Sequence, residues 1–215
     1  MGNLIRQETR MGVLEDLRQS IISGDREKSR ALTEQARSEG VATREIVVDG
    51  IAVAMGVVGE KFRANEFFVP ELLIAQRAMK AALGALEGEE VDHIGTVVIG
   101  TVKGDLHDIG KNLVAAMLEG AGFKVVDLGV DVSAETFAAA AKESSARVVA
   151  MSALLTTTMG AMRETVSLLG SNGLDTRVII GGAPVTQAYA EEIGADGYSA
   201  DAAGAVELAK SLIGA

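Results

Sequence analysis

The stretch that decides the fold is Ile94-Gly-Thr-Val-Val-Ile-Gly-Thr-Val-Lys-Gly-Asp105-Leu-His107-Asp-Ile-Gly110. Its apolar first part predicts a buried strand, and the glycine-bearing loop that follows predicts the end of that strand. An amphipathic helix begins at once after the loop. Open α/β sheets bind ligands at loops of this kind, beyond the carboxyl ends of the strands. We therefore expect His107 to face a ligand, with Asp105 placed to orient its ring.

From residue 94 onward the sequence alternates between strand-like and helix-like runs. The predicted strands cover 95–102, 124–128, 147–152, 176–180 and 196–199. The helical runs between them lie near 109–121, 133–144, 159–170, 185–193 and 201–213. This alternation predicts an α/β fold, a flavodoxin-like and Rossmann-like doubly wound parallel sheet of five strands.

The first part of the chain carries a helical pattern instead. Apolar residues recur at helical spacing from residue 4 to 22 and again at 46–62, Asp25 is placed to cap a second helix, and Pro70 suits the first turn of a fourth. Four helices with short connections predict a small bundle. We expect two domains, a helical bundle cap over 1–90 and a ligand-binding domain over 91–215, joined by a polar linker at 87–94.

The bulk composition excludes several classes of protein. The 215 residues include no cysteine, which excludes disulfides, thiolate zinc sites and thiol nucleophiles and suits a reducing cytoplasm. The net charge of −10 argues against a nucleic-acid partner. No apolar run approaches the roughly 18 residues of a membrane span, and the N-terminus lacks a signal-peptide core. We expect a cytoplasmic protein with no membrane or nucleic-acid partner.

Two further strand ends carry unusual residues. The third predicted strand continues into Ser152-Ala-Leu154-Leu-Thr156-Thr-Thr158, and the fourth ends in Gly181-Gly182. Paired glycines permit a close approach to the backbone. Each feature alone is also typical of a capped helix start or a plain turn. Together with the first loop they predict a slot beside the sheet, with hydroxyls on one wall and bare backbone on the other.

These motifs resemble those of the corrinoid-binding module of methionine synthase and of the small corrinoid proteins of methyltransferase systems. The shared pattern is Asp105-x-His107-x-x-Gly110, followed by Ser152-x-Leu154 and Gly181-Gly182. The first half is similar to the helical cap that accompanies this module, through Met55-Gly-Val-Val-Gly-Glu-Lys-Phe62 and Phe68-Val69-Pro-Glu-Leu. The resemblance covers nearly the whole chain.

The resemblance implies a bound corrinoid, cobalamin or a relative, with its lower nucleotide base detached from cobalt and its tail in the slot. His107 then takes the vacated axial position on the metal, Asp105 bonds its other nitrogen, and Ser152 continues this relay toward solvent. The other residues implied to contact the cofactor are Gly104, Leu106, Asp108, Ile109, Gly110, Leu154, Thr156, Gly181 and Gly182. In the cap, Phe62 and Val69 match positions over the upper face of the ring, although the family often has leucine at the second.

The resemblance also implies a function, that of a methyl-group carrier acting as one component of a methyltransferase system. A substrate-specific methyltransferase loads a methyl group onto the cobalt, and a second methyltransferase passes it to coenzyme M or tetrahydrofolate. A reductive activator is a further implied partner. Histidine suits the lower position because its basicity is tunable near neutral pH and the aspartate adjusts it. These residues do not identify the methyl donor.

Three other hypotheses compete with a carrier. The corrinoid subunit of an adenosylcobalamin-dependent mutase shares the Asp-x-His-x-x-Gly motif but lacks the helical cap. A corrinoid-sensing regulator adds a basic DNA-binding domain, which the acidic charge disfavours. A flavodoxin-like domain that binds FMN or receives a phosphoryl group is the plainest alternative, but a receiver needs an aspartate where this chain has Ser152. The other histidine, His93, lies in a polar stretch and is assigned no role.

Overall fold

The computed structural model describes residues 2–89 and 93–215, with side chains from residue 11 onward. The chain divides into two compact units. One comprises residues 1–92 with 120–122, and the other comprises residues 93–119 with 123–215. The predicted domain boundary at residues 90 and 91 lies outside the described residues. None of the helices in the described ranges combines the length and the apolar character needed to cross a membrane.

The first unit is helical, as predicted. Its elements are α1 (Gly2–Ile22), α2 (Arg26–Ser38), α3 (Thr43–Glu45), a π-helix (Ile46–Ala52), α4 (Val53–Arg63) and α5 (Val69–Gly84). Since α3, the π-helix and α4 follow one another without a break, the unit has four helical segments with short connections. Its fully buried side chains include Leu17, Ile21, Ile46 and Ile51, which belong to the predicted apolar runs, and also Met55, Leu72 and Met79.

The helix starts in this unit follow from local chemistry. The side chain of Asp25 accepts a hydrogen bond from the backbone N–H of Lys28 at 3.0 Å, which confirms the predicted cap of α2. At the start of α5, the carboxylate of Glu71 accepts from the backbone N–H of Phe68 at 2.9 Å, and Pro70 occupies the first turn. These bonds satisfy donors that the first turn of a helix leaves without intrahelical partners.

The second unit is a parallel sheet with helices between successive strands. The strands are β1 (Thr96–Thr101), β2 (Lys124–Asp127), β3 (Val148–Ser152), β4 (Arg177–Gly181) and β5 (Gly197–Tyr198). The helices are α6 (Ile109–Gly120), α7 (Ala134–Glu143), α8 (Gly160–Ser171), α9 (Gln187–Ile193) and α10 (Ala202–Ile213). Every strand pair is parallel, and the order is β2-β1-β3-β4-β5. The predicted doubly wound sheet of five strands is confirmed.

The strand order creates a switch point between β1 and β3. In the sheet, β2 lies next to β1 on one side and β3 lies next to β1 on the other. The chain therefore reverses its direction across the sheet after β2. In sheets of this topology, ligands bind beside the loops that leave the two strands at the switch point. The central strands are continuous apolar runs because helices bury them on both faces; Val98 and Val149 are fully buried.

Candidate functional site

The loop between β1 and α6 carries a completely buried carboxylate, that of Asp105 (0 % exposed). Its Oδ1 accepts from the backbone N–H of His107 at 3.1 Å and lies 2.7 Å from Nδ1 of the same residue. Its Oδ2 accepts from the N–H groups of Leu154 (2.7 Å) and Leu155 (3.2 Å) and from the hydroxyl of Thr158 (2.9 Å). One carboxylate therefore ties the loop after β1 to the loop after β3, at the switch point.

These hydrogen bonds keep the Asp105 carboxyl ionised. Burial raises its pKa, but the hydrogen bonds from the backbone of Leu154, from His107 and from the Thr158 hydroxyl outweigh burial and hold the pKa well below its usual range. An ionised carboxylate only accepts hydrogen bonds, so the nitrogen that faces it must carry the proton. The geometry assigns the proton of a neutral His107 to Nδ1 and leaves a lone pair on Nε2.

The Nε2 side of His107 faces away from the relay. The ring is half exposed, at 52 %, and within the described part of the chain Nε2 has no hydrogen-bond partner. Large apolar side chains in the same two loops are exposed as well: Leu106 and Ile109 at 72 %, Leu154 at 42 % and Leu155 at 43 %. Exposed apolar groups in the same loops as an available nitrogen are typical of a ligand surface.

A second buried hydroxyl, besides that of Thr158, holds the loop between β1 and α6. We call this loop, residues 102–108, the histidine loop. Thr101, the last residue of β1, is completely buried, and its Oγ1 donates to the backbone carbonyl of His107 at 2.8 Å. His107 is therefore held at its ring by Asp105 and at its backbone carbonyl by Thr101. The sequence analysis missed Thr101, although a hydroxyl at the buried end of an apolar strand is a signal that such a bond exists.

The relay predicted through Ser152 is not found among the described hydrogen bonds and stays a prediction. Ser152 ends β3 in register with Thr101 and Gly181, and it makes no described hydrogen bond to Asp105. The backbone turns after the strand, so that the hydroxyl which reaches Asp105 is that of Thr158, a buried residue just before α8. Contact of Ser152 with a cofactor stays a prediction, as does that of Thr156, which is exposed.

The paired glycines at the end of β4 face protein backbone. Gly182 has φ +125°, and a Cβ there would lie 1.9 Å from the carbonyl oxygen of Ala153. A Cβ on Gly181 would lie 3.0 Å from the carbonyl oxygen of Ser199. The close backbone approach that the glycines predicted is present, and the neighbour is this chain itself. A ligand slot at the same place remains a prediction.

A buried lysine adjoins the site and was not predicted. The side chain of Lys111, in the first turn of α6, is 2 % exposed and pairs with the carboxylate of Asp127 at the end of β2. Its ammonium also donates to Oδ1 of Asn112 at 2.7 Å, and the amide of Asn112 donates to the carboxylate of Asp108 at 3.0 Å. This network fixes the start of α6, where Gly110 has open space around it.

The remaining predicted residues lie outside this network. Phe62, in α4, is partly buried, and Val69, the first residue of α5, is 36 % exposed beside Phe68 at 60 %. Gly104 lies in the histidine loop with φ +84°. Contact of Phe62, Val69 and Gly104 with a cofactor stays a prediction. His93 is exposed, and no hydrogen bond of it is described.

Comparison with known proteins decides the family. Two family models, each described as a B12 binding domain, match residues 95–207 and 13–87. A corrinoid protein of Desulfitobacterium hafniense is 41 % identical over 213 residues, which cover 95 % of this chain and 99 % of that relative. The chain belongs to the corrinoid proteins of methyltransferase systems. Dimethylamine corrinoid protein 2 of Methanosarcina mazei is also 41 % identical, over 212 residues, with 95 % of this chain and 99 % of that relative covered.

A solved structure matches this corrinoid protein over both halves. A chain in the methanol:cobalamin methyltransferase complex of Methanosarcina barkeri has a TM-score of 0.86 and 31 % identity, covering 94 % of this chain and 80 % of that chain. Because the match includes the helical half, the comparisons favour a methyltransferase corrinoid protein over a mutase subunit.

The residues at the switch point fit a corrinoid. A half-exposed imidazole with its lone pair on Nε2 would offer one ligand to the metal of a corrinoid. The exposed side chains of Leu106, Ile109, Leu154 and Leu155 suit the apolar edge and face of such a macrocycle. Corrinoid binding is thus consistent with both the family and the local chemistry.

Proposed function

We propose that this corrinoid protein carries a methyl group on cobalt, with the cofactor's own nucleotide base detached and His107 as the lower axial ligand. The observation that carries the proposal is the pairing of His107 Nδ1 with the buried carboxylate of Asp105, which leaves Nε2 half exposed. His107 would hold the metal of the corrinoid through this nitrogen. When bound, the corrinoid supplies cobalt chemistry for accepting and releasing the methyl group.

The residues of the chain would hold and orient that ligand. Asp105 would keep the proton on Nδ1 and so leave the lone pair of Nε2 for the metal. Thr158 and two backbone N–H groups hold the other carboxylate oxygen in place, which would keep Oδ1 directed at Nδ1 of His107. The exposed leucines and Ile109 would exclude water from the lower side of the ring.

We further propose where the rest of the cofactor lies. The nucleotide tail would run past the ends of β3 and β4, along Ser152, Leu154, Thr156, Gly181 and Gly182, with Gly104 and Gly110 leaving room near the histidine. The helical part, taken as residues 1–90, would cover the upper face through Phe62 and Val69, and residues 91–215 would bind the corrinoid. The exposure of Val69 and Phe68 supports an apolar cover.

The relatives indicate which class of protein this chain would bind as a partner. They include dimethylamine corrinoid proteins and a chain of a methanol:cobalamin methyltransferase complex. We propose that this protein receives its methyl group in the cytoplasm from a substrate-specific methyltransferase. A second methyltransferase would transfer the group to coenzyme M or tetrahydrofolate, and a reductive activator would return oxidised cobalt to the active state.

A labelled-methyl experiment tests the carrier function. The protein is loaded with hydroxocobalamin, desalted, reduced, and treated with labelled methyl iodide. We expect one corrinoid per chain, label that co-elutes with the protein, and release of that label when a coenzyme M or tetrahydrofolate methyltransferase and its acceptor are added. Loss of the corrinoid on desalting, or label that no acceptor system removes, would contradict the proposal.

A further inference from the structure

Asp131, in the loop between β2 and α7, has an unusual backbone. Its φ is +55°, in the left-handed region that non-glycine residues seldom occupy. Such a conformation costs free energy and persists only where surrounding interactions hold it. Aspartate tolerates this region better than most side chains, since its short polar group can bond locally. Asp131 was not among the predicted site residues, and its contacts explain why the chain keeps this backbone conformation.

The contacts of Asp131 go to the histidine loop. Its Oδ1 accepts from the backbone N–H of Gly104 at 2.7 Å, and its own backbone N–H donates to the carbonyl of Asp105 at 3.0 Å. These two hydrogen bonds hold the N–H of Gly104 and the carbonyl of Asp105, so they fix the Gly104–Asp105 segment at both of its ends. Gly104 itself has φ +84°, a turn that these bonds stabilise. We call the pair of bonds the Asp131 clamp.

The sheet holds the clamp in place. The backbone N–H of Thr101 donates to the carbonyl of Gly129 at 2.9 Å, and the N–H of Val132 donates to the carbonyl of Thr101 at 3.0 Å. An isolated parallel bridge joins Val102 to Val132. The loop after β2 therefore continues beside the loop after β1, beyond the end of the regular ladder. Asp131 is positioned by strand pairing on both of its sides.

We propose that Asp131 is a positioning residue for His107, and this inference rests on the proposed role of His107 as the lower ligand. The histidine loop is held from the β3 side by the Asp105 carboxylate and from the β2 side by the clamp. Without the clamp, the Asp105 carboxylate and Thr101 still hold the loop, but no other described hydrogen bond fixes Gly104 from the β2 side, so the segment at Gly104 and Asp105 can pivot. The direction of Nε2 then varies, although the bond between Asp105 and Nδ1 survives.

Two substitutions separate the side chain from its backbone conformation. Asp131→Gly keeps the left-handed backbone and the backbone bond to Asp105 but removes the acceptor for Gly104. Asp131→Asn keeps an oxygen acceptor and tolerates the same backbone. Asp196→Ala is the matched control, because the Asp196 side chain accepts from the backbone N–H of Val178 at 2.7 Å near the amino ends of the strands, away from the site.

Two measurements test the Asp131 clamp and its effect on His107. The first is hydrogen exchange of the Gly104 amide in the protein without cofactor. We expect exchange to be about five- to tenfold faster in Asp131→Gly, as loss of one net hydrogen bond implies, and close to wild type in Asp131→Asn and Asp196→Ala. The second is the absorption spectrum after loading with hydroxocobalamin. We expect Asp131→Gly to move it part of the way toward that of His107→Ala, with the other two variants unchanged.

The outcomes distinguish this inference from the proposed function. An unchanged spectrum in His107→Ala would overturn the proposed function and this inference with it. A shifted spectrum in His107→Ala but not in Asp131→Gly would overturn the positioning role alone. Unchanged exchange at Gly104 in Asp131→Gly would also overturn it, because the clamp would then not hold the loop. A spectral shift in Asp131→Gly that Asp131→Asn does not share, with faster exchange, would support it.

Discussion

Nδ1 of His107 lies 2.7 Å from Oδ1 of Asp105, a carboxylate that is completely buried. The same carboxylate accepts three more hydrogen bonds from the loop after β3 through its other oxygen. The orientation of the imidazole thus depends on two loops that are far apart in the sequence. A change in either loop is expected to alter the ligand properties of Nε2 without touching the ring.

The stability of the protein should depend on the charge of Asp105. The pKa of this carboxyl lies below its usual range in the folded protein, against about 3.9 in the unfolded chain. The folded state then binds fewer protons, so this contribution is fully present above the unfolded pKa and is lost as the pH falls toward the folded one. Urea unfolding between about pH 5 and pH 3 should show a steeper loss of stability for wild type than for Asp105→Asn. Parallel curves would contradict this assignment.

Thr158, and not Ser152, should behave as the hydroxyl partner of Asp105. Thr158→Val keeps the shape but leaves Oδ2 without one donor, so we expect a loss of about 1 to 2 kcal/mol in the free energy of unfolding. Thr158→Ser retains the hydroxyl and should keep most of that stability. Ser152→Ala should cost less than Thr158→Val. Urea titration of the three variants checks the order, and a larger loss for Ser152→Ala would restore the original relay.

Gly182, directly after β4, should tolerate alanine less well than a glycine of positive φ that lies in open space. An alanine Cβ there would lie 1.9 Å from the carbonyl oxygen of Ala153, in a backbone conformation that side chains rarely adopt. Gly173→Ala is the control, since its φ of +63° is also positive but no heavy atom lies within 4 Å of the added carbon. The control should lose about 1 kcal/mol. Gly182→Ala should lose several times as much in urea unfolding or fail to fold; equal losses would show that the backbone contact is unimportant.

The ion pair of Lys111 with Asp127 should stabilise the start of α6. Lys111→Ala removes a buried cation and its packed stem, and we expect a loss of about 2 to 3 kcal/mol, below the usual cost of breaking a buried pair because Asp127 is 39 % exposed. Lys111→Met keeps the stem and should lose less. Lys142→Ala, on an exposed lysine of α7, is the control. If thermal unfolding shows the same small effect at both lysines, the pair is not stabilising.

The sequence predicted the larger features because they depend on repeating patterns. Apolar runs and capping residues located the five strands to within about two residues, and Asp25 capped α2 as expected. The pairing of Asp105 with His107 was predictable because a spacing of two residues in a tight loop brings both side chains together. These features depend on local chemistry and on burial, both of which the sequence displays directly.

Other features depend on contacts that no local pattern displays. Three consecutive threonines follow β3, and only the path of the backbone determines that Thr158 reaches Asp105. The bond from Gly104 to Asp131 joins residues 27 positions apart. Lys111 is typical of a solvated helix position by residue type, yet it is buried because Asp127 ends the neighbouring strand beside it. The π-helix is invisible to a helical period fitted to ordinary turns.

The most direct test of the account is the absorption spectrum of the corrinoid-loaded protein with and without its lower ligand. Wild type, His107→Ala and His93→Ala are loaded with hydroxocobalamin, desalted, and compared at equal corrinoid content. His93 is the control because it is the only other histidine and is exposed. We predict that His93→Ala matches wild type while His107→Ala shows the spectrum of a corrinoid without a histidine ligand. Identical spectra for all three proteins would contradict it.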